Sequence, residues 1–412
     1  MITRNIAPRI AEALADTPAV FLRGARQTGK TTLVKNLAGF NGYVTLDSAA
    51  ALTAATNDPS GFLHGLGKPA VIDEVQRAPG LLLALKEDID RERTPGRYLL
   101  TGSANVFAVP KVADSLAGRM ELLTLYPFSA GEMAGVRDDF IARLFDGRAC
   151  AIPPFCNPDG EFPFATVLAG GYPDVVPRVQ ARRDAWFDSY VTSLVERDVR
   201  DISNIQDRSA AIRLLSLLAT RTATLLNAAE VSRSAGIPNT TLARYVSLFE
   251  ALFIIYFLPA WSFNSSKRLV KSPKLHFADS GLASHLAVAG ENAPARDPAK
   301  AGRLFETYVV GEIVKQATWT QHRVVSLSHY RSQAGEEVDL VLEDARGDVA
   351  AVEVKLSRTV SRRDIKGLTS LRDALGDRFA GGALVYTGEE TLPLGDRLTA
   401  VPVPAISALS AA

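Results

Sequence analysis

"VFLRGARQTGKTTLVKNLA" (residues 20–38) runs a short apolar stretch into a glycine-bearing turn and then into a helical pattern. Gly24 is followed after four residues by Gly29-Lys30-Thr31. A strand that enters a helix through such a turn aims backbone N–H groups at an anion. Gly24 and Gly29 let the loop Ala25-Arg26-Gln27-Thr28 turn its amides inward, with Thr32 just beyond. Lys30 supplies a point charge to β- and γ-phosphates, and the Thr31 hydroxyl suits Mg²⁺. The bland alternative is a glycine turn that merely starts a helix.

Two further apolar runs weigh against that alternative. "PAVIDEV" (69–75) ends in Asp73-Glu74, which places one carboxylate for Mg²⁺ and a second as general base toward water. "GRYLLTGSAN" (96–105) ends in Thr101, Ser103 and Asn105, polar groups able to orient that water. Three strands, each ending in phosphate or water chemistry, predict an open parallel sheet with ligands at the strands' carboxyl ends. Arg119, in "SLAGRMELLTLYPFS", is the candidate for absorbing transition-state charge. Arg197 and Arg200 compete, but Glu196 and Arg200 read more simply as an i,i+4 helix pair.

The 412 residues exceed one ordinary core, so two or three domains are expected. With 47% hydrophobic and 22% charged residues the composition is that of a soluble globular protein. A net charge of +1 means that nucleic-acid binding must come from local patches. Asp16 interrupts the N-terminal stretch, and "LFEALFIIYFLPAW" (248–261) is short and contains Glu250, so neither an export signal nor a membrane span is expected. Cys150 and Cys156 lack nearby histidines and read as incidental thiols, consistent with a cytoplasmic location. "ACAIPPFCNPDGEFPF" (149–164) and "AGENAPARDPAKAG" (289–302) read as breaks, which gives blocks of roughly 1–155, 156–290 and 295–412.

In the middle block, residues 185–226 have helical periodicity. Asn227 then caps a short helix, "AGIP" turns, and Asn239 caps a second helix that runs to about Glu250. A strand pair follows, the layout of a helix-turn-helix with a wing. Thr240, Thr241 and Arg244 would face DNA, and Lys267, Arg268 and Lys271, with Lys274 nearby, would contact phosphates. The same unit serves elsewhere as a protein–protein adaptor, and only one strong cation lies on the second helix.

In the last block, "VDLVLEDARGDVAAVEVK" (338–355) reads as a hairpin turning at Arg346. That register sets Asp339 opposite Glu353 and Glu337 opposite Lys355, with Val338, Leu340, Leu342, Val352, Val354 and Leu356 on the other face. Like charges directly opposed need a cation between them, and Mg²⁺ or Mn²⁺ would serve. Glu306 lies on the apolar stripe of the helix "AGRLFETYVVGEIVKQATW" (301–319) and adds a third carboxylate. Two readings stand: a metal site for phosphodiester hydrolysis, or a Glu337–Lys355 ion pair beside solvated Asp339 and Glu353.

Together, "GARQTGKTTL", "VIDEVQRAP", "LLTGSAN", "SLAGRM", "GGYPDVV", "YVTSLVERDVRDIS", "KSPKLHFADSGLASHL" and the 302–355 block resemble a large prokaryotic family. That family joins an AAA-type P-loop ATPase to a C-terminal domain of unknown function 4143. The resemblance implies an α/β P-loop domain, a helical and winged-helix middle domain, and a restriction-endonuclease-like α/β domain whose motif is Glu306, Asp339, Glu353 and Lys355. It also implies ATP and Mg²⁺ as cofactors. The expected activity is ATP hydrolysis coupled to DNA binding, with a nuclease-like domain; homo-oligomers are compatible with it. The rivals are a nucleotide-gated interaction switch and a DNA-binding regulator that does not cut.

Overall fold

The computed structural model describes residues 2–103, 118–137, 139–146, 162–199, 208–262, 272–332 and 334–408. The chain forms two compact units, one of Arg4–Pro127 with Phe249–Ile254 and the other of Phe128–Leu248 with Ile255–Ala412 and Met1–Thr3.

The first unit is a wound α/β sheet. In chain order it comprises α1 (Ala7–Asp16), β1 (Ala19–Arg23), α2 (Lys30–Lys35), β2 (Gly42–Thr45), α3 (Ala49–Asn57), α4 (Pro59–Gly65), β3 (Ala70–Asp73), α5 (Leu81–Arg91), β4 (Tyr98–Gly102) and β5 (Met120–Thr124). The strand order is β2-β3-β4-β1-β5, with every pairing parallel. Strands β1, β3 and β4 are near-continuous apolar runs because helices cover both faces of a parallel sheet. Phe21, Ile72, Leu100 and Tyr98 pack against Leu81, Leu85 and Ile89 of α5. All the strands therefore deliver their C-terminal residues to one edge, as predicted.

The second unit opens with α6 (Ala130–Ala134), α7 (Phe140–Phe145), α8 (Ala165–Ala169), α9 (Gln180–Ser193) and α10 (Arg208–Thr220). β6 (Thr224–Leu225), α11 (Ala228–Ala235), α12 (Asn239–Ala251), β7 (Ile255–Leu258) and β8 (Lys274–Phe277) follow. Next come α13 (Ser280–Leu286), α14 (Ala293–Arg296), α15 (Pro298–Gln316), β9 (Val324–Arg331), β10 (Glu337–Asp344), β11 (Val349–Lys355), α16 (Lys366–Leu375), β12 (Phe379–Tyr386), β13 (Leu392–Gly395), β14 (Leu398–Pro402) and α17 (Ala405–Ala408). The expected break at 289–302 is largely helical, in α14 and the start of α15, where Asp297 caps α15 by accepting from Lys300 N.

Asn227 caps α11 as predicted, accepting from Glu230 N at 3.2 Å, and Gly236 ends it in the left-handed region. β8 lies between β6 and β7 in a small antiparallel sheet. The larger sheet has the order β13-β14-β12-β11-β10-β9, with β11, β12 and β14 parallel and the remaining pairs antiparallel. The β10–β11 register is the predicted one, Leu340 facing Val352 and Leu342 facing Ala350. One expectation fails: both faces of the hairpin are covered, and Val341, Val349 and Ala351 of the supposedly charged face are fully buried. Leu368, Leu371 and Leu375 of α16 pack over that face, and a separate bulge in the β9–β10 pairing between Val338 and Val341 gives β10 an extra residue at Asp339-Leu340. Bulges of this kind re-aim a side chain.

A buried carboxylate ties the second unit together. Asp279 caps α13 through Leu282 N at 2.9 Å and also accepts from Gly171 N at 2.7 Å. A Cβ on Gly170 would lie 2.3 Å from that carboxylate and one on Gly171 would lie 2.1 Å from Phe128 O, which is why the "GGYPDVV" stretch begins with two glycines.

Candidate functional site

The loop after β1 is built for phosphate. Gly24 has φ +153°, and a Cβ there would sit 2.1 Å from Leu125 O. Gln27 (φ 62°) and Gly29 (φ 93°) are left-handed, which turns successive amides into a concave nest. Thr28 Oγ1 donates to Ala25 O at 3.0 Å and closes the turn. Arg4, which sequence reasoning passed over, is buried and clasps the loop from behind, donating to Thr28 O at 3.4 Å and Tyr126 O at 2.5 Å. Lys30 Nζ lies within the loop, donating to Gly24 O and Ala25 O at 2.8 Å each. Thr32, Arg26 and Gln27 line the loop's partly or fully exposed side.

Around it, the strand ends converge as expected. Asp73 Oδ2 accepts from Thr31 Oγ1 at 2.8 Å and from Tyr43 OH at 2.9 Å, and Asp73 Oδ1 accepts from Thr101 Oγ1. Tyr43 was not foreseen; burial and the Asp73 bond raise its pKa well above the usual phenol range. Glu74 sits in the left-handed region at φ 61°. Ser103 Oγ donates to Glu74 Oε2 at 3.2 Å, and Gln76 Nε2 bridges Glu74 Oε2 and Ser103 Oγ. Gln76 too was missed, since nothing in its spacing marks it. A glycine cradle, a loop lysine and an adjacent hydroxyl–carboxylate pair fit a nucleoside triphosphate with Mg²⁺. Gly24 to Thr31 would hold the phosphates, and Thr31 with Asp73 would hold the ion.

Arg119 does not join this cluster within its own chain. It immediately precedes β5, which runs parallel to β1 with Ala19 opposite Met120, so it lies at the sheet's amino edge. The loop follows the other end of β1, five residues and about 16 Å of strand away. Arg119 is bound bidentately by Asp90, at 2.6 and 3.0 Å, and does not reach the phosphate loop of its own chain. Asn105 and Arg200 lie outside the described residues, as do Cys150, Cys156, Lys267, Arg268 and Lys271.

In the second unit, Asn239, Thr240 and Arg244 are exposed on the first turns of α12, with Thr241 half-buried. Asn239 is the first helical residue rather than a cap preceding the helix.

Glu306, Asp339, Glu353 and Lys355 do converge, on the floor of a cavity of about 870 Å³. Asp339 and Glu353 are 7% and 6% exposed, so they are not solvated. The anticipated Glu337–Lys355 pair is absent: Glu337 pairs with Arg331 at 3.2 Å and Lys355 with Glu353 Oε1 at 2.8 Å. The unforeseen member is Lys274 on β8, whose Nζ lies 2.8 Å from Asp339 Oδ1 and pairs with Glu306 Oε1. Asp339 Oδ2 accepts from Val354 N at 2.9 Å. Burial, together with the Asp339 charge, pushes Glu306 up to about 8 against the pull of Lys274. Burial first and Asp339 second raise Glu353 well above the carboxylate range, opposed by Lys355. Burial alone would lower Lys274, but Asp339 and Glu306 hold it far above the usual amine range. Glu353 Oε2 and both His276 ring nitrogens are buried without a hydrogen-bond partner.

A divalent metal does not fit this arrangement. Among the described residues no three His, Cys, Asp or Glu side chains are placed to hold one. Both Asp339 oxygens are engaged, and an ammonium group stands between Asp339 and Glu306. The Mg²⁺ or Mn²⁺ expected at Asp339 and Glu353 is therefore not provided for.

The chain is 31% identical over 411 residues to two uncharacterized proteins, Rv2008c of Mycobacterium tuberculosis and Mb2031c of Mycobacterium bovis, spanning 98% of this chain and 84% of each of theirs. It belongs to the family of these proteins. An uncharacterized Haemophilus influenzae protein is 23% identical over 224 residues, 52% of this chain and 51% of its own. An AAA domain matches residues 16–134, a domain of unknown function 8612 residues 164–293, and the domain of unknown function 4143 residues 301–406. Among solved structures, the Walker-type ATPase PABY2304 of Pyrococcus abyssi aligns with TM-score 0.42 at 15% identity over 69% of this chain and 96% of that one. A RuvB of Thermotoga maritima aligns with TM-score 0.29 at 17% identity over 62% and 89%. The AAA-type ATPase domain of this chain, residues 16–134, lies mostly in the first unit. Among the described residues no helix is long and apolar enough to cross a membrane.

Proposed function

We propose that this protein hydrolyses ATP and couples its nucleotide state to binding DNA. The observation that carries the first part is the chain Thr31–Asp73–Thr101 beside Glu74–Ser103–Gln76, a Mg²⁺ anchor next to a held general base. Lys30 and Thr31 bind and orient the triphosphate, and Glu74 takes the proton from the attacking water. Bound Mg²⁺ would supply charge neutralisation to the phosphates.

For DNA, α11, the Gly236 turn and α12 form the reading unit of a winged helix, with Thr240, Thr241 and Arg244 toward base edges. Lys267, Arg268 and Lys271 contribute from the segment joining β7 to β8. The cavity's rim, Arg303, Arg331, Arg363 and Lys366, is suited to a phosphodiester backbone. Residues 1–155, 156–290 and 295–412 are the corresponding functional blocks, the last with a restriction-endonuclease-like fold. The Lys274 ammonium among the cavity's carboxylates favours binding there without cutting over a metal-dependent nuclease.

The test is ATPase rate in Mg²⁺ with and without DNA, alongside DNA binding by anisotropy over a salt series. Arg244→Ala should weaken binding and lower the salt slope by about one. An ATPase rate indifferent to DNA, with no salt-dependent binding, would sink the coupling.

A further inference from the structure

The hairpin opposes carboxylates, and something positive must separate them. We infer that Lys274 is a resident cation standing where a divalent metal would sit between Glu306 and Asp339, so that the cavity takes up no metal while β8 is in place. Four observations converge on this. Lys274 Nζ pairs with both Asp339 Oδ1 and Glu306 Oε1, and its side chain is 9% exposed. Asp339's second oxygen is committed to the backbone N–H of Val354. Glu353 Oε1 is committed to Lys355, leaving only its buried Oε2 unpartnered. Finally, the lysine is not on a loose tether. Its backbone is paired on both sides, opposite Leu225 of β6 and Leu258 of β7, so the ammonium is fixed by the small sheet.

An ammonium differs from a metal in what it permits. It donates hydrogen bonds from a fixed stem, but it has no open coordination position for a water and cannot lower a bound water's pKa as Zn²⁺ or Mg²⁺ does. Two ammonium groups, Lys274 and Lys355, already bond to the three carboxyl groups, so an added dication would compete with them for the same oxygens. The inference concerns the cavity's own side chains and holds whether or not the chain binds DNA.

The experiment titrates nucleotide-free full-length protein with Mn²⁺ and counts bound ion from the free-ion electron paramagnetic resonance signal. Wild type and Asp339→Asn should bind the same amount. Lys274→Met should gain one equivalent, which Asp339→Asn on the same background removes again. Circular dichroism establishes that each variant is folded. Wild-type Mn²⁺ binding that disappears in Asp339→Asn would overturn the inference. So would a folded Lys274→Met that takes up no additional ion. If Lys274→Met does not fold, the wild-type and Asp339→Asn comparison, repeated with Glu353→Gln, decides alone. ATPase and DNA-binding readouts are independent of this titration, so failure here leaves those proposals standing and the converse also holds.

Discussion

Glu74 joins a chemical role to a strained backbone, and the two can be separated. At φ 61° an L-residue bears roughly 1–2 kcal/mol that glycine does not. Glycine loses about 0.5–1 kcal/mol through the greater freedom of its unfolded chain. Glu74→Ala and Glu74→Gly both remove the carboxylate and its Ser103 bond, so those losses cancel between them. The glycine variant should therefore be more stable than the alanine variant by about 0.5–1 kcal/mol, reversing the order found at ordinary positions. Chemical denaturation followed in the first unit measures this. In single-turnover assays both variants, and Glu74→Gln, should slow γ-phosphate cleavage by about 10²–10⁴-fold, or about 2.7–5.5 kcal/mol, while still binding a fluorescent ATP analogue. Alanine as stable as glycine would refute the strain, and Glu74→Gln cleaving within about threefold of wild type would refute the base.

Other outcomes follow from the same geometry. Lys30→Ala should abolish hydrolysis with far-UV circular dichroism unchanged, since Nζ donates to carbonyls of its own loop. Asp279→Ala strips a helix cap and leaves the buried Gly171 and Leu282 amides unpaired, which should cost about 3–5 kcal/mol in equilibrium unfolding of the second unit. Asp88 accepts from Arg97, Tyr98 and Lys68, at 2.8, 2.7 and 2.9 Å. Burial opposes its ionisation, but those bonds hold its pKa well below the usual carboxylate value. A depressed folded pKa stabilises above the unfolded value near 3.9 and loses that stabilisation as pH falls through the folded one. Asp88→Asn should thus cost about 3–5 kcal/mol, flat from pH 5 to 8, with the gap from wild type narrowing below about pH 4 in urea titrations.

The nucleotide site was largely legible because its parts are local: a glycine spacing, and two apolar strands ending in named polar residues. Tyr43 and Gln76 were not, since their roles arise from neighbouring strands brought side by side. Arg119 could not be placed for a related reason. Its closeness in sequence to the third strand says nothing about which end of the next strand it occupies. In the cavity the hairpin register was readable from period-two alternation, but the bulge at Asp339 was not. Lys274 lies 65 positions from Asp339 and resembled its basic neighbours, so only the packing of β8 distinguishes it.

α15 carries Glu306 into the cavity and, beyond it, Glu312, Lys315 and Gln316 into other contacts. Glu312 Oε2 accepts from Ala130 N at 2.7 Å, Lys315 Nζ donates to Phe128 O at 2.9 Å, and Gln316 accepts from Phe140 N while donating to Ile406 O. The helix therefore works as a gauge block, its far end clamped and its near end setting the depth of one carboxylate. One residue inserted between Glu306 and Glu312 would rotate Glu306 by about 100° and shift it about 1.5 Å along the axis, leaving the clamp intact and Lys274 with a single acidic partner.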